Sequence, residues 1–150
     1  MDQIDHAILD QLRADGRLAN NELAERVGLS PSPCLRRVRA LEEAGVITGY
    51  HASIEPKELG KGLHVLLHVE MAEQRGETVE AFEAAVQELE EVVACQRMFG
   101  SPDYLLHIAV RDIEAYEQVY MAKLTQLPGI ARTTSQFTMK TVKSTPGFFY

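Results

Sequence analysis

The feature that most constrains this chain is a change in hydrophobic period. Up to Gly45 the apolar side chains recur three and four positions apart; beyond Gly62, β-branched and aromatic runs alternate with helical stretches. The first pattern suits packed helices, the second a sheet with helices against it. Between them, Glu55-Pro56-Lys57-Glu58-Leu59-Gly60-Lys61-Gly62 has the proline and glycines of a linker. The chain therefore reads as two small domains, residues 1–54 and 63–150, joined by 55–62. Domains of this size have thin cores, so oligomerisation is expected.

In the first domain, Ile4, Ala7, Ile8, Leu9 and Leu12 predict an amphipathic helix closed by a left-handed cap at Gly16. Asn20 or Asn21 is placed to cap a second helix, with Leu23, Ala24 and Val27 on its apolar face and Gly28 at its end. Ser30 caps a third helix, which has Pro31 in its first turn, runs to about Ala44 and stops at Gly45. Val46–Ile54 reads as a short hairpin. Three helices and a hairpin outline a winged helix-turn-helix.

The second domain reads as strand Leu63–Met71, helix Val79–Leu89, strand Val92–Phe99 and strand Tyr104–Val110. Helix Ile113–Leu127 and strand Ile130–Val142 follow. This β-α-β-β-α-β order is the ferredoxin-like arrangement, an antiparallel sheet with helices on one face. The fold class is thus α+β. The bare sheet face needs covering, most simply by a second subunit.

On a helical wheel of 30–43, Cys34, Leu35, Val38 and Leu41 fall on one side and are expected to pack inward. Ser32, Arg36, Arg39 and Glu43 fall opposite, flanked by Pro33 and Ala40, with Arg37 at the margin. Arginine can pair bidentately with guanine, serine can reach a base or phosphate, and small residues permit close approach to a major groove. The alternative is a solvated face on an ordinary core helix. Ala24 and Gly28 favour the first reading, because helix-turn-helix units need a close helix crossing and a tight turn there. Ser30, Ser32, Pro33, Arg36, Arg37 and Arg39 are the DNA-binding candidates, with Arg37 suited to phosphate. The net charge of −7 seems to oppose nucleic acid. However, residues 1–61 carry eight bases against ten acids, and 62–150 carry seven against twelve, so most of the excess lies in the second half.

The stretch Leu29-Ser30-Pro31-Ser32-Pro33-Cys34-Leu35-Arg36-Arg37-Val38-Arg39-Ala40-Leu41-Glu42-Glu43-Ala44-Gly45-Val46-Ile47-Thr48-Gly49-Tyr50 resembles the N-terminal domain of Lrp/AsnC transcriptional regulators. Asp5-His6-Ala7-Ile8-Leu9 and Asp15-Gly16-Arg17 are similar to that family's opening helix. Gly100-Ser101-Pro102-Asp103-Tyr104-Leu105-Leu106 and Leu127-Pro128-Gly129 are similar to its C-terminal domain. The resemblance implies a winged-helix domain joined to a ferredoxin-like sensing domain that pairs through its sheet. It also implies double-stranded DNA as partner, an amino-acid effector, dimers assembling to octamers, and a cytoplasmic setting. Two relatives of this shape stand as alternatives: a low-specificity DNA-organising protein, and a haem-pathway decarboxylase with a degenerate reading helix.

The turn Phe99–Tyr104 reads either as a simple hairpin, with Asp103 capping backbone amides, or as an effector loop. In the second reading, backbone N–H groups and Ser101 hold a carboxylate and Asp103 meets an amino group. The resemblance favours the effector loop, placing Gly100, Ser101, Pro102, Asp103 and Tyr104 with Thr134, Ser135, Gln136 and Phe137 of the last strand in a cleft between dimers. The chain departs from the family's commoner acidic-aromatic pair by carrying Ser101-Pro102.

His64 and His68 resemble a metal pair. Four residues along a strand span ~13 Å, too far for two ligands at ~2 Å from one zinc. With His107 they read instead as sheet-face histidines suited to a pH-sensitive subunit contact. No metal, cofactor or catalytic group is assigned. Cys34 and Cys95 are expected as buried reduced thiols. Glu70, Glu73, Glu77, Glu80 and Glu83 read as a solvated edge, and Phe148-Phe149-Tyr150 as an apolar tail. No apolar run reaches the ~18 residues of a membrane span, and the acidic N-terminus lacks the pattern of a secretory signal.

Overall fold

In the computed structural model, which describes residues 1–143, helix α1 (Gln3–Ala14) starts from a reciprocal cap. The Asp2 carboxylate accepts from the Asp5 N–H at 2.9 Å, and the Asp5 carboxylate accepts from the Asp2 N–H at 2.9 Å. Two donors that a helix start leaves open are satisfied this way. The helix ends at Asp15 in an extended conformation, so the left-handed cap expected at Gly16 does not form. The Asp15 side chain instead accepts from the Arg17 N–H.

In α2 (Asn20–Arg26), Ala19 holds the cap position and no side chain caps the helix, contrary to the roles expected of Asn20 and Asn21. Asn20 lies inside the helix, and its amide donates to the Pro31 carbonyl at 2.8 Å. That bond ties α2 to the start of α3 (Pro31–Glu43). Gly28 adopts φ +71°, the left-handed conformation that reverses the chain between α2 and α3. Ser30 and Pro31 stand where expected, although the Ser30 hydroxyl makes no capping bond. Ile8, Leu23, Ala24, Cys34 and Leu41 form the core of this first unit, Met1–Ser53.

The expected hairpin at Val46–Ile54 is absent: among the described residues, the first unit contains no strand. The Val46 and Ile47 N–H groups both donate to the Leu41 carbonyl, and the Tyr50 hydroxyl donates to Glu42. The segment thus folds back on the end of α3. An isolated two-stranded ribbon is marginal without an apolar face to bury, and Val46, Tyr50 and Ile54 stay largely exposed.

The second unit begins at Ile54, and part of the expected linker, Pro56–Leu59, forms a 3-10 turn. Then follow β1 (Leu63–Met71), α4 (Gly76–Gln87), β2 (Val92–Arg97), β3 (Tyr104–Val110), α5 (Ile113–Ala122) and β4 (Ile130–Phe137). The strands form one sheet in the order β2-β3-β1-β4, every neighbouring pair antiparallel. Val65, Leu67 and Val69 of β1, with Leu106 and Ile108 of β3, pack against Phe82 and Val86 of α4 and Tyr116 of α5. The alternate residues His64, Leu66 and His68, with Leu105 and His107, point to the opposite sheet face.

Several elements are shorter than their periodicity suggests. α5 stops at Ala122 because Lys123 leaves helical geometry, and a 3-10 turn then carries Leu124 and Leu127 into the core. β4 stops at Phe137, not Val142: Phe137 pairs with Val65, and Thr138 still donates to the His64 carbonyl near the start of β1. Cys34 is buried as expected, whereas Cys95, near the end of edge strand β2, is exposed. The glutamate run is not wholly solvated: Glu70 pairs with Arg132, and Glu83 accepts from the Tyr104 hydroxyl. Burial, then the hydrogen bond to Glu83, pushes that hydroxyl's pKa up to about 12. His68 bonds Gln136 at 3.0 Å. Burial, and then the nearby His64, lowers the pKa of His107. Among the described residues no group of three or more His, Cys, Asp or Glu is placed to hold a metal ion, and no helix is long and apolar enough to cross a membrane. Phe148, Phe149 and Tyr150 lie outside the described residues.

Gly129 tests this packing. It adopts φ +73°, and an added Cβ would overlap Thr78 Cγ2 and stand 2.9 Å from Met71 Cε. Strain and overlap act together there, so Gly129→Ala is expected to destabilise the second unit by ~1–3 kcal/mol. A chemical denaturation curve that matches the wild type would contradict this account.

Candidate functional site

Three buried or half-buried side chains fix the inner face of α3: Cys34, Leu41 and Val38. A fourth contact fixes its rotation. Arg37 donates to Asp2 Oδ2 at 2.8 Å and to Asp5 Oδ1 at 2.7 Å. The reciprocal backbone bonds of the α1 cap, and then Arg37, hold both carboxyls below their usual pKa. Those carboxylates in turn raise the pKa of the guanidinium. Arg37, expected to touch phosphate, here pairs its charge with the start of α1.

Arg36 and Arg39 differ. Both are exposed, and no hydrogen bond or ion pair engages their side chains among the described residues. With Ser32, Leu35, Ala40 and Glu43 they line a shallow groove of about 340 Å³. Two unpaired cations over a concave surface suit a polyanion. Glu43 on the same groove is an acceptor of the kind that meets cytosine N4. Ser30 and Ser32 are exposed, and Pro33 is half-buried at the margin. Leu35 departs from expectation. Placed on the inner face by the wheel, it is 39% exposed and lies outside the core cluster. It sits about 100° round the helix from Leu41's neighbours, where a wheel cannot decide between core and rim.

The turn from β2 to β3 is closed by the Met98 N–H donating to the Asp103 carbonyl, and Asp103 N–H donates to Val69 O. The Asp103 carboxylate accepts from the Met71 N–H at 2.7 Å and from the Gln74 amide. The capping role expected of Asp103 is therefore present, supplied across the end of β1. Gln74 has no signal in the sequence, since 29 residues separate it from Asp103. Gly100 and Ser101 are exposed, Pro102 is half-buried and Phe99 projects fully into solvent.

Tyr104 does not belong to this loop's surface. It is 2% exposed, 4.6 Å from the Phe82 ring, and its hydroxyl is bonded to Glu83. The four β4 candidates also divide. Ser135 bonds the Tyr116 hydroxyl at 2.6 Å and Phe137 packs edge-on to Tyr116 at 5.3 Å, both on the helix side. Thr134 and Gln136 face the other way, Gln136 against His68. Moreover, β3 and β4 flank opposite edges of β1, and Phe137 pairs with Val65 while Asp103 meets Met71. Phe137 thus lies six residues of strand from the loop's level, roughly 20 Å, whereas Thr134 pairs with His68, next to Val69, whose carbonyl accepts the Asp103 N–H. Thr134 therefore stands near the loop's level across β1, and Phe137 stands towards the far end of the sheet. The cavity beneath the loop, lined by Met71, Gln74, Val79, Arg97, Met98, Asp103 and Tyr104, measures about 30 Å³. That is room for about two waters and not for an amino acid.

Residues 1–48 match a family described as winged helix-turn-helix DNA-binding, and residues 64–148 match one described as the Lrp/AsnC ligand binding domain. The leucine-responsive regulatory proteins of Salmonella typhimurium and Escherichia coli K12 are each 43% identical to the chain over 143 residues, covering 95% of it and 87% of those proteins. A Neisseria meningitidis transcriptional regulator, solved as a complex with L-methionine, superposes with a TM-score of 0.92 at 37% identity, covering 97% of this chain and 94% of its own. An AsnC family transcriptional regulator from Agrobacterium tumefaciens matches at 0.92 and 37%, covering 97% and 95%.

The Arg37 contacts carry a pH signature. Carboxyls whose folded pKa is depressed stabilise the fold above their unfolded value and lose that contribution as pH falls through the folded one. Arg37→Met keeps the alkyl stem and removes the charge. Its melting temperature should fall below wild type at pH 7, and the gap should begin to narrow below about pH 4 and close as pH falls further through the lowered values of Asp2 and Asp5. A gap independent of pH between 7 and 3 would show that the guanidinium's charge is not what anchors α3.

Proposed function

We propose that this chain, which belongs to the Lrp/AsnC family of transcriptional regulators, reads operator DNA through the Ser32, Arg36 and Arg39 face of α3. The observation that carries this reading is the contrast between Arg37, doubly paired to α1, and Arg36 and Arg39, which have no partner among the described residues and line an open groove. Residues 1–54 serve as the DNA-binding domain, 55–62 as linker, and 63–150 as the effector-binding and oligomerisation domain. Ser30 and Ser32 supply hydroxyls to backbone or base, and Pro33 permits close approach at the rim. An intact arginine face also argues for a regulator, not a decarboxylase of the same shape. Its DNA-bound role places it in the cytoplasm.

The effector is an amino acid, in keeping with the leucine-responsive relatives and the methionine complex among the structural neighbours. Its carboxylate meets Ser101 and the exposed backbone at Gly100. Because the loop and β4 flank opposite edges of β1 and Gln136 is turned against His68, the cleft is completed by another copy. The bare sheet face supports that assembly: Leu66 and Leu105 give it an apolar centre, with His64, His68, His107 and Gln136 around them. We read it as the surface of a homodimer, with dimers assembling further to octamers. A dimer presents two reading helices, so its site is partly palindromic with half-sites ~34 Å apart or a multiple of that.

Selection of the full-length protein on random duplexes supplies the cognate site. On it, Arg36→Ala should weaken binding by ~1–3 kcal/mol in a gel shift, the cost of a lost bidentate base contact. Unchanged affinity and specificity would remove Arg36 from the interface. Thermal melting against each of the twenty amino acids should raise the midpoint for the effector by mass action, and Ser101→Val should abolish that rise. Melting that no amino acid alters would refute the effector class.

A further inference from the structure

We propose that Leu35 is itself a base-reading residue, contacting the 5-methyl group of a thymine in the major groove. The inference rests on the reading of α3 as the groove-entering helix and goes beyond it by naming a base. A lone exposed leucine on a protein surface carries no such meaning. Leu35 is different in its surroundings: 39% exposed and outside the core cluster, it forms part of the groove whose other walls are Ser32, Arg36, Arg39, Ala40 and Glu43. Ser32 and Ala40 are small, so neither holds a base edge away from it. Arg36 and Arg39 follow it on the same helix, one and four positions on, line the same groove and have no ion-pair partner among the described residues, so the attraction that draws phosphates and guanines to them brings Leu35 into the same groove. Of the four bases, only thymine displays an apolar group on its major-groove edge. A leucine there loses water against that methyl and against nothing on cytosine, whose C5 carries only hydrogen.

The test uses the selected duplex, with each thymine of a half-site replaced in turn by deoxyuridine, which deletes the methyl and leaves base pairing intact. Wild-type protein should lose about fourfold in affinity at one position per half-site, the value of one buried methyl. Leu35→Ala should bind the parent site more weakly and be indifferent to uracil at that position. Leu35→Met, which keeps the apolar surface, should retain the dependence. The proposal is overturned if wild type is indifferent to uracil everywhere, or if Leu35→Ala loses as much as wild type at the sensitive position. Should Leu35→Ala misfold, Leu35→Thr takes its place with the same expected loss of the dependence, and wild-type indifference still overturns the proposal by itself. Failure of the underlying reading is a separate result, because selection would then return no sequence preference on unmodified DNA, and the thymine assignment would fall with it.

Discussion

Strand β1 is the constraint on which the second unit rests. It is hydrogen-bonded on both edges, to β3 and to β4, and every other residue along it is buried under α4 and α5. A shift of one residue would turn Val65, Leu67 and Val69 outward and His64, Leu66 and His68 into the core, so the register is strongly held. That register decides everything near the loop. It places the Met71 N–H against the Asp103 carboxylate, thereby setting where Gly100 and Ser101 stand. It also sorts the β4 side chains between two faces. The same register leaves His64, Leu66 and His68 on the face turned away from α4 and α5.

In the first unit a thirteen-residue helix serves two surfaces. Its inner face is small and fully apolar, Cys34 and Leu41 meeting Ile8, Leu23 and Ala24. So small a core leaves the rotation of α3 weakly specified, and the ionic contact of Arg37 with Asp2 and Asp5 supplies a directional restraint. Asp2 and Asp5 are at once a helix cap and the anchor for a helix thirty residues away. An acidic patch that seemed unhelpful to DNA binding therefore helps orient the helix that carries the basic face.

The distance between prediction and structure is instructive at Arg37, Leu35 and Tyr104. Arg37 and Arg39 are indistinguishable as residue types, and only the partner across the helix crossing tells anchor from reader. Leu35 has the chemistry of a core residue, but Cys34, Val38 and Leu41 take the inward side of α3 and leave it at the groove. Tyr104 adjoins a turn rich in glycine and proline, yet the pleat turns its ring toward Phe82.

What the chain determined by sequence alone is the set of elements and their order. Hydrophobic period, the Gly28 and Gly45 stops, and the proline and glycine punctuation around 55–62 and 128–129 are local properties, legible wherever local backbone preference and amphipathicity agree. The α3 face bearing Ser32, Arg36 and Arg39 was equally legible, because a helix imposes one geometry on its own residues. Only tertiary structure decided which arginine is spent on α1, which leucine faces the groove, that Val46–Ile54 forms no hairpin, and that Gln74 meets Asp103. Each of these depends on a partner distant in the chain or on the lack of a face to bury, and no periodicity within one segment records either.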